Sequence, residues 1–377
     1  MHTAALIVSL LLVASPAIAD PVRIVSWNIN NLHHTEGEGI PDRTNVPIRT
    51  RADYERIREV LISPTLDGDI IAFQETNGPE AVRKVLPGNA SDWTVCHESR
   101  FDRDQTGNLS PATRPDRIYT AVAVRRAAFP DVRCTELNIG VVGEDGRPVR
   151  NAAGATVRRG GLQFDVYSVH LKSGCHQDPI SEPRSENCRV LSRNVDELEK
   201  AIDDLTRRGV VFMLAGDFNR RLNLQGFDDQ TDELWADIDD GTPAPLDLDV
   251  RRRVLPAHVG RARTPSSASP SISSCSTKTC GRGSSRTQGR PDFQKLGVAT
   301  LAPDLPPSQR NKLSDHCPIR TTLNLPTGAA PGPASGAQDG FIAALDGLDR
   351  ARTALCAAAR AQLPSMPGQL LERCGNR

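Results

Sequence analysis

The sequence predicts an α/β fold, on three observations. Apolar, β-branched runs of strand length recur along the chain. Segments with apolar residues at spacings of three and four fall between them. Short polar clusters stand at the ends of the predicted strands, where an α/β scaffold displays functional groups.

The elements follow in order. Residues 22–29 predict the first strand, residues 51–62 a helix, and residues 69–73 a buried strand. Residues 118–124 and 162–171 are the next predicted strands. Between residues 189 and 208 the apolar set Leu191, Val195, Leu198, Ile202 and Leu205 makes one helix face, stopped by Gly209. Residues 210–215 then read as a buried strand, so that strands and helices alternate as in an α/β domain. Residues 326–340 form a Pro/Gly/Ala linker. The tail, residues 341–377, reads as two short helices around Pro364-Ser365-Met366-Pro367, which a bond between Cys356 and Cys374 would staple.

Composition narrows the class. The 377 residues allow one large α/β domain or two to three smaller ones. A hydrophobic content of 38% excludes wholesale disorder. No stretch reaches the ~20 apolar residues of a membrane span, so no stable membrane association is expected. The 46 basic and 46 acidic residues cancel, which argues against holding nucleic acid by bulk electrostatics. Residues 4–14 are apolar and lead to Ala17-Ile18-Ala19, a small-x-small site. Residues 1–19 therefore read as a secretory signal cleaved before Asp20, although Lys and Arg are missing ahead of the apolar run. A secreted or periplasmic location would let the nine cysteines pair, and nine leaves one over. Residues 20–325 form the main domain, expected to be a monomer with no obligate protein partner.

Five clusters carry the chemistry: Trp27-Asn28, Gln74-Glu75, His170 with Lys172, Gly216-Asp217-Phe218-Asn219, and Ser314-Asp315-His316. Taken singly, each reads as a turn or a solvated side chain. Their order and spacing together resemble the endonuclease/exonuclease/phosphatase superfamily, with its DNase I-like fold, across residues 22–325. The resemblance implies a four-layer α/β sandwich, two packed mixed β-sheets flanked by helices. It also implies hydrolysis of a phosphate ester with a divalent cation, Mg²⁺ first and Mn²⁺ or Ca²⁺ as alternatives.

The resemblance suggests roles as well. A hard cation takes oxygen ligands, which makes Glu75 the main ligand, with Asn28 and Asp315 completing the shell. Asp217 matches the carboxylate that positions or deprotonates the attacking water. Asn219 is expected on a phosphate oxygen, and His170 and His316 flank the phosphate to stabilise charge on its non-bridging oxygens. Lys172, Arg117 and Tyr119 are further substrate contacts. Cys175 and Cys188 flank a short insertion after His170-Leu171-Lys172. A disulfide there would staple a loop beside the site, adding about 3 kcal/mol on the chain-entropy model. The activity implied is that of a phosphodiesterase, most simply a nuclease on DNA or RNA. The alternatives are a phosphatase or phospholipase C-type hydrolase on inositol phosphates or sphingomyelin, and a catalytically impaired binding protein of the same fold.

One family motif is missing. A strand ending Ile-Asp-apolar-apolar normally precedes Ser-Asp-His by roughly 30 to 50 residues, its Asp orienting the histidine as a triad Asp does. Here residues 250–291 hold no Asp or Glu, but eight Arg, one Lys and dense Ser. A disordered basic loop is one reading. A nucleic-acid-binding insertion is another, without an aromatic to stack on bases. Translation out of frame fits better. With TCN serine codons, reading Ile272-Ser273-Ser274-Cys275 one base earlier yields codons with T in second position, all apolar. The codon spanning Ser271 and Ile272 becomes Asp if that serine is TCG. Cys275 and Cys280 would then be artefacts of the shift, and a cysteine arising near His258 would give Cys317 a partner. As written, His316 lacks its orienting carboxylate, and by analogy with loss of a triad Asp the rate would fall by about 10⁴. Outside this stretch 37 basic residues face 46 acidic ones, so the intended enzyme is acidic. Resequencing the gene across codons 245 to 295 is expected to reveal a single-base insertion and deletion pair that restores the strand. An unchanged reading frame sinks the idea.

Overall fold

The computed structural model describes residues 21–40, 46–106, 117–159, 162–176, 178–220, 233–243, 294–295 and 312–323. All but Leu162 fall in the larger of two compact units, Ala19–Arg159 with Gln163–Leu325. The readings made for residues 1–19, 250–291 and 326–377 lie outside the described residues.

In chain order the elements are β1 (Val22–Leu32), α1 (Arg51–Ile62), β2 (Ile70–Thr76), α2 (Pro79–Val85), β3 (Trp93–His97), α3 (Arg100–Thr106), β4 (Tyr119–Arg125) and β5 (Val132–Leu137). Then come β6 (Ala152–Arg159), β7 (Leu162–His170), α4 (Glu186–Arg207), β8 (Phe212–Asp217), α5 (Glu233–Ile238), β9 (Gln294–Lys295) and β10 (Ile319–Leu323). One sheet runs β3-β4-β2-β1-β10-β9 and the other β5-β6-β7-β8. Both are mixed: β1 is parallel to β2 and antiparallel to β10, and β7 is parallel to β8.

Strand alternation makes this a four-layer sandwich. Val25, Trp27 and Ile29 of β1, Ile71 and Phe73 of β2, and Ala121 and Ala123 of β4 share one core with Tyr54, Ile57 and Leu61 of α1 and Val82 and Val85 of α2. Tyr167 and Val169 of β7 share a second core with Leu191, Val195, Leu198, Ile202 and Leu205 of α4 and Trp235 of α5. The intervening residues, Ile24, Ile70, Val122, Ala153 and Val166 among them, are equally buried on the opposite strand faces, where the sheets meet. Polar groups bridge that seam: Ser168 Oγ donates to the Phe73 carbonyl (2.7 Å) and accepts from Gln74 Nε2 (2.9 Å). Thr120 Oγ1 donates to the Asn151 carbonyl (2.8 Å) and accepts from Ala153 N (3.0 Å). Cys96–Cys134 further ties β3 to β5, closing 38 residues of sequence separation.

The predicted elements recur with shifted ends. The helix predicted at 189–208 begins at Glu186, because Ser185 Oγ accepts from Cys188 N and caps it. β1, β2 and β8 run two or three residues further than predicted, into the polar clusters. β6 escaped prediction because its sequence is Ala- and Gly-rich. The Tyr167 ring lies so close over Gly154 that a β-carbon there would overlap it. Among the described residues no helix is long and apolar enough to cross a membrane.

Leu198 is fully buried on the α4 stripe. Leu198→Ala is expected to cost about 3 kcal/mol in a urea melt, from lost burial plus the cavity. Ile62→Ala, at a side chain with 52% exposure, should cost far less.

Candidate active site

The sandwich brings four strand ends to one place. Asn28 lies on the same face of β1 as Ile24, His170 on the same face of β7 as Val166, and Asp217 on the same face of β8 as Ala215, all at the seam. Parallel pairing sets His170 beside Asp217 in register, and Asn28 beside Gln74. Beyond these points the strands are no longer regular. Register shifts occur between Asn28 and Leu32 and between Phe73 and Thr76. Asn30, Asn31, Glu75 and Asn219 take positive φ angles of 52°, 55°, 60° and 52°. Such conformations cost about 1–3 kcal/mol each and persist only where the surroundings over-determine them. Gly216 is required by close approach, since a β-carbon there would overlap the Val169 carbonyl.

One amide joins the cluster. Asn28 Nδ2 donates to Glu75 Oε1 (3.0 Å) and to Asp217 Oδ2 (3.1 Å), while Asn28 Oδ1 accepts from Asn30 N (3.0 Å). His170 Nε2 stands 3.7 Å from Glu75 Oε1 and 4.0 Å from Asp217 Oδ2. Asn219 N donates to Asp217 Oδ1 (2.9 Å), and Asn219 Nδ2 donates to the Leu171 carbonyl (3.0 Å). Burial pushes the Asp217 carboxyl above its ordinary range. The His316 charge and the hydrogen bonds from Asn219 and Asn28 pull it back, and Glu75 adds to the rise.

The His316 loop is pinned to β1. Ser314 Oγ donates to the Asn28 carbonyl (2.6 Å) and accepts from His316 N (2.9 Å). Trp27 Nε1 donates to the His316 carbonyl (3.1 Å). Among the described residues, the carboxylate paired with the His316 ring is that of adjacent, half-exposed Asp315, whose Oδ1 lies 3.4 Å from Nε2.

The structure thus gathers Asn28, Glu75, His170, Asp217 and Asn219 into one linked cluster, with His316 near enough for its charge to act on Asp217 and Asp315 half-exposed beside it. It places the three proposed substrate contacts differently. Lys172 Nζ donates to Asn187 Oδ1 (2.7 Å) and to the Ser173 carbonyl (3.1 Å). Tyr119 OH donates to Asp104 Oδ2 (2.6 Å), and Arg117 lies 3.8 Å from that oxygen. Burial and the Asp104 carboxylate hold the Tyr119 phenol protonated. Cys175 and Cys188 are bonded, closing the insertion beside the site as read from the sequence. Cys317 is disulfide-bonded as well.

Several contributing residues carry no sequence signal. Buried Arg150 donates to the carbonyls of His170 (3.1 Å) and Leu171 (2.6 Å). Arg220 donates to those of Cys175 (2.9 Å) and Asp178 (2.8 Å). His176 Nδ1 lies 3.2 Å from the Asn219 carbonyl. These are three polar residues among many, recognisable only once the strands they end are adjacent.

The donor set fits a hard divalent cation. Glu75 and Asp217, the latter almost dry, are hard oxygen donors held side by side by one amide, which is the ligand chemistry such an ion takes. Cys175, Asp178 and Cys188 form another group of ligand type, within 4.8 Å, but its two sulfurs are bonded to each other.

Residues 25–316 match the model of the Endonuclease/Exonuclease/phosphatase family. The chain belongs to that family of phosphoester hydrolases. No curated protein matches it. Solved structures similar to it include the human Nocturnin catalytic domain with bound sulfate anion, at 14% identity and TM-score 0.43, covering 80% of this chain and 93% of that one. D. rerio TDP2 complexed with single strand DNA product is 17% identical with TM-score 0.43, covering 81% and 99%. A family protein from Bacteroides thetaiotaomicron is 13% identical with TM-score 0.37, covering 81% and 100%.

Because the folded-state pKa of Asp217 is raised, the native state holds that proton more tightly than the unfolded chain. Its contribution is therefore lost as pH rises from the ordinary carboxylate value through the raised one. Between the ordinary and the raised carboxylate values, the melting temperature of the metal-free wild type is expected to fall more with rising pH than that of Asp217→Asn, which does not titrate. Identical pH slopes in the two proteins would contradict it.

Proposed function

We propose that this chain is a secreted, divalent-metal-dependent phosphodiesterase that hydrolyses nucleic acid by water attack. The observation that carries the reading is the Asn28 amide bridging Glu75 and Asp217, with the His170 imidazole within 4.0 Å of both. The apolar segment at residues 4–14, the site Ala17-Ile18-Ala19 and the disulfides support export.

Mg²⁺, or Mn²⁺ or Ca²⁺ in its place, held by Glu75 and Asn28 with Asp315 at the rim, would neutralise phosphate charge and stabilise the leaving oxygen. Asp217 is the base. Burial raises its proton affinity, and hydrogen bonds from Asn28 and Asn219 fix its two oxygens so that it orients and deprotonates a water. His170 and His316 face the phosphate from the two sheets and stabilise charge on its non-bridging oxygens. Asn219 uses one amide hydrogen on Leu171 and keeps the other for a phosphate oxygen. Lys172, just ahead of the loop closed by Cys175–Cys188, and His176 within it offer contacts to flanking phosphates of a polynucleotide. Arg117 and Tyr119 would reach substrate only by leaving Asp104.

The acid-free stretch at residues 250–291 favours a second reading, a catalytically impaired binding protein of the same fold. Nicking of supercoiled plasmid separates the two. The wild-type chain is expected to nick with Mg²⁺ and stop with chelator, and Asp217→Ala should lose roughly 10³-fold, within the range for a general base. DNA binding without cleavage favours the impaired protein. Phosphate release from small phosphoesters without cleavage of DNA or RNA assigns a phosphatase instead.

A further inference from the structure

Arg49 is 1% exposed, and its guanidinium is spent on main-chain carbonyls. Nε donates to Lys312 O (2.6 Å), Nη1 to Asn31 O (3.2 Å), and Nη2 to Ile29 O (2.7 Å), Asn30 O (3.0 Å) and Leu313 O (3.1 Å). These acceptors belong to two segments. One is the irregular end of β1, directly after Asn28, where Asn30 and Asn31 have positive φ. The other directly precedes Ser314-Asp315-His316. The contacts span 263 and 264 residues on the His316 side but 18 to 20 on the Asn28 side.

We propose that Arg49 is a positioning residue, the clamp that sets the His316 loop in register with Asn28 and the carboxylates it bridges. This rests on the phosphodiesterase reading above, and Arg49 itself touches no substrate. A planar fork with five donors suits the task, because it engages several carbonyls of fixed geometry at once. Lysine has a single nitrogen and cannot span both segments in the same way. A buried cation is costly unless fully hydrogen-bonded, so its use here is paid for by the order it imposes. The grip is reinforced from α1, whose N-cap Thr50 follows Arg49, since Asp53 Oδ2 lies 3.6 Å from Lys312 Nζ. On the other side of the loop, Ser314 and Trp27 make their own bonds between the loop and β1. Arg49 is thus the member of the junction that reaches the irregular residues of both segments.

The test compares Arg49→Lys and Arg49→Met in the full chain by amide hydrogen exchange and steady-state kinetics. Both variants should exchange about tenfold or more faster at residues 29–32 and 313–317, with α4 unchanged, Met more than Lys. In plasmid or oligonucleotide cleavage, kcat should fall by about 100-fold for Met, as for a small misplacement of catalytic groups, with KM within about twofold. Should Arg49→Met fail to fold, Arg49→Lys carries the comparison. Unchanged exchange at 313–317, or exchange raised equally throughout the domain, overturns the proposal. A wild-type chain that cleaves no phosphodiester, with the local exchange change still present, removes the catalytic reading and leaves the clamp standing.

Discussion

Everything at this site answers to one constraint: Asp217, 3% exposed, is a carboxylate taken out of water and linked through one amide to a second acid. Removing a charge from water is costly unless hydrogen bonds or an opposite charge replace the solvent. Here the replacements are an amide from β1, a main-chain N–H two residues on, and imidazoles from both sheets. None of these is local to Asp217 except Asn219. The two sheets must therefore meet at the right separation for the carboxylate to be tolerated, which makes the sandwich seam and the site one problem.

Strands that end at a site create a second demand. Their last carbonyls lose ladder partners while their side chains are committed to one another in the candidate site, and buried carbonyls need donors. Arginine supplies them repeatedly: Arg49 after Asn28, Arg150 at His170 and Leu171, and Arg220 under the insertion closed by Cys175–Cys188. The same choice recurs because one guanidinium can satisfy several acceptors in a plane.

The parts legible in the sequence are those written in local pattern. β-branched runs announce β1, β2, β4, β7 and β8, and the apolar stripe of α4 announces its buried face. The clusters that end these strands are legible too, since a polar break after an apolar run marks where a strand leaves the core. What stayed hidden depends on distant partners. β6 is small-residue sequence because Tyr167 of a neighbouring strand lies over Gly154. The pairing of Cys96 with Cys134 needs the edges of two sheets to be adjacent. Tyr119 and Arg117 read as free cationic and hydroxyl groups until Asp104 of α3 is placed beside them. Arg49 is one of 40 arginines, and nothing within its own neighbourhood sets it apart.

The position of β10 has a consequence for how the molecule comes into being. This strand lies next to β1, the first strand made, and Trp27 reaches His316 across 289 residues. Pairing of such sequence separation is entropically slow and comes late. A growing chain can build β2, β4 and the α1 side of the first sheet from its own early residues. It cannot join Asn28 to the His316 loop until residues 314–323 have been made. A chain cut short of β10 therefore keeps the early strands of the first sheet but loses the junction that holds the His316 loop against Asn28, wherever it folds.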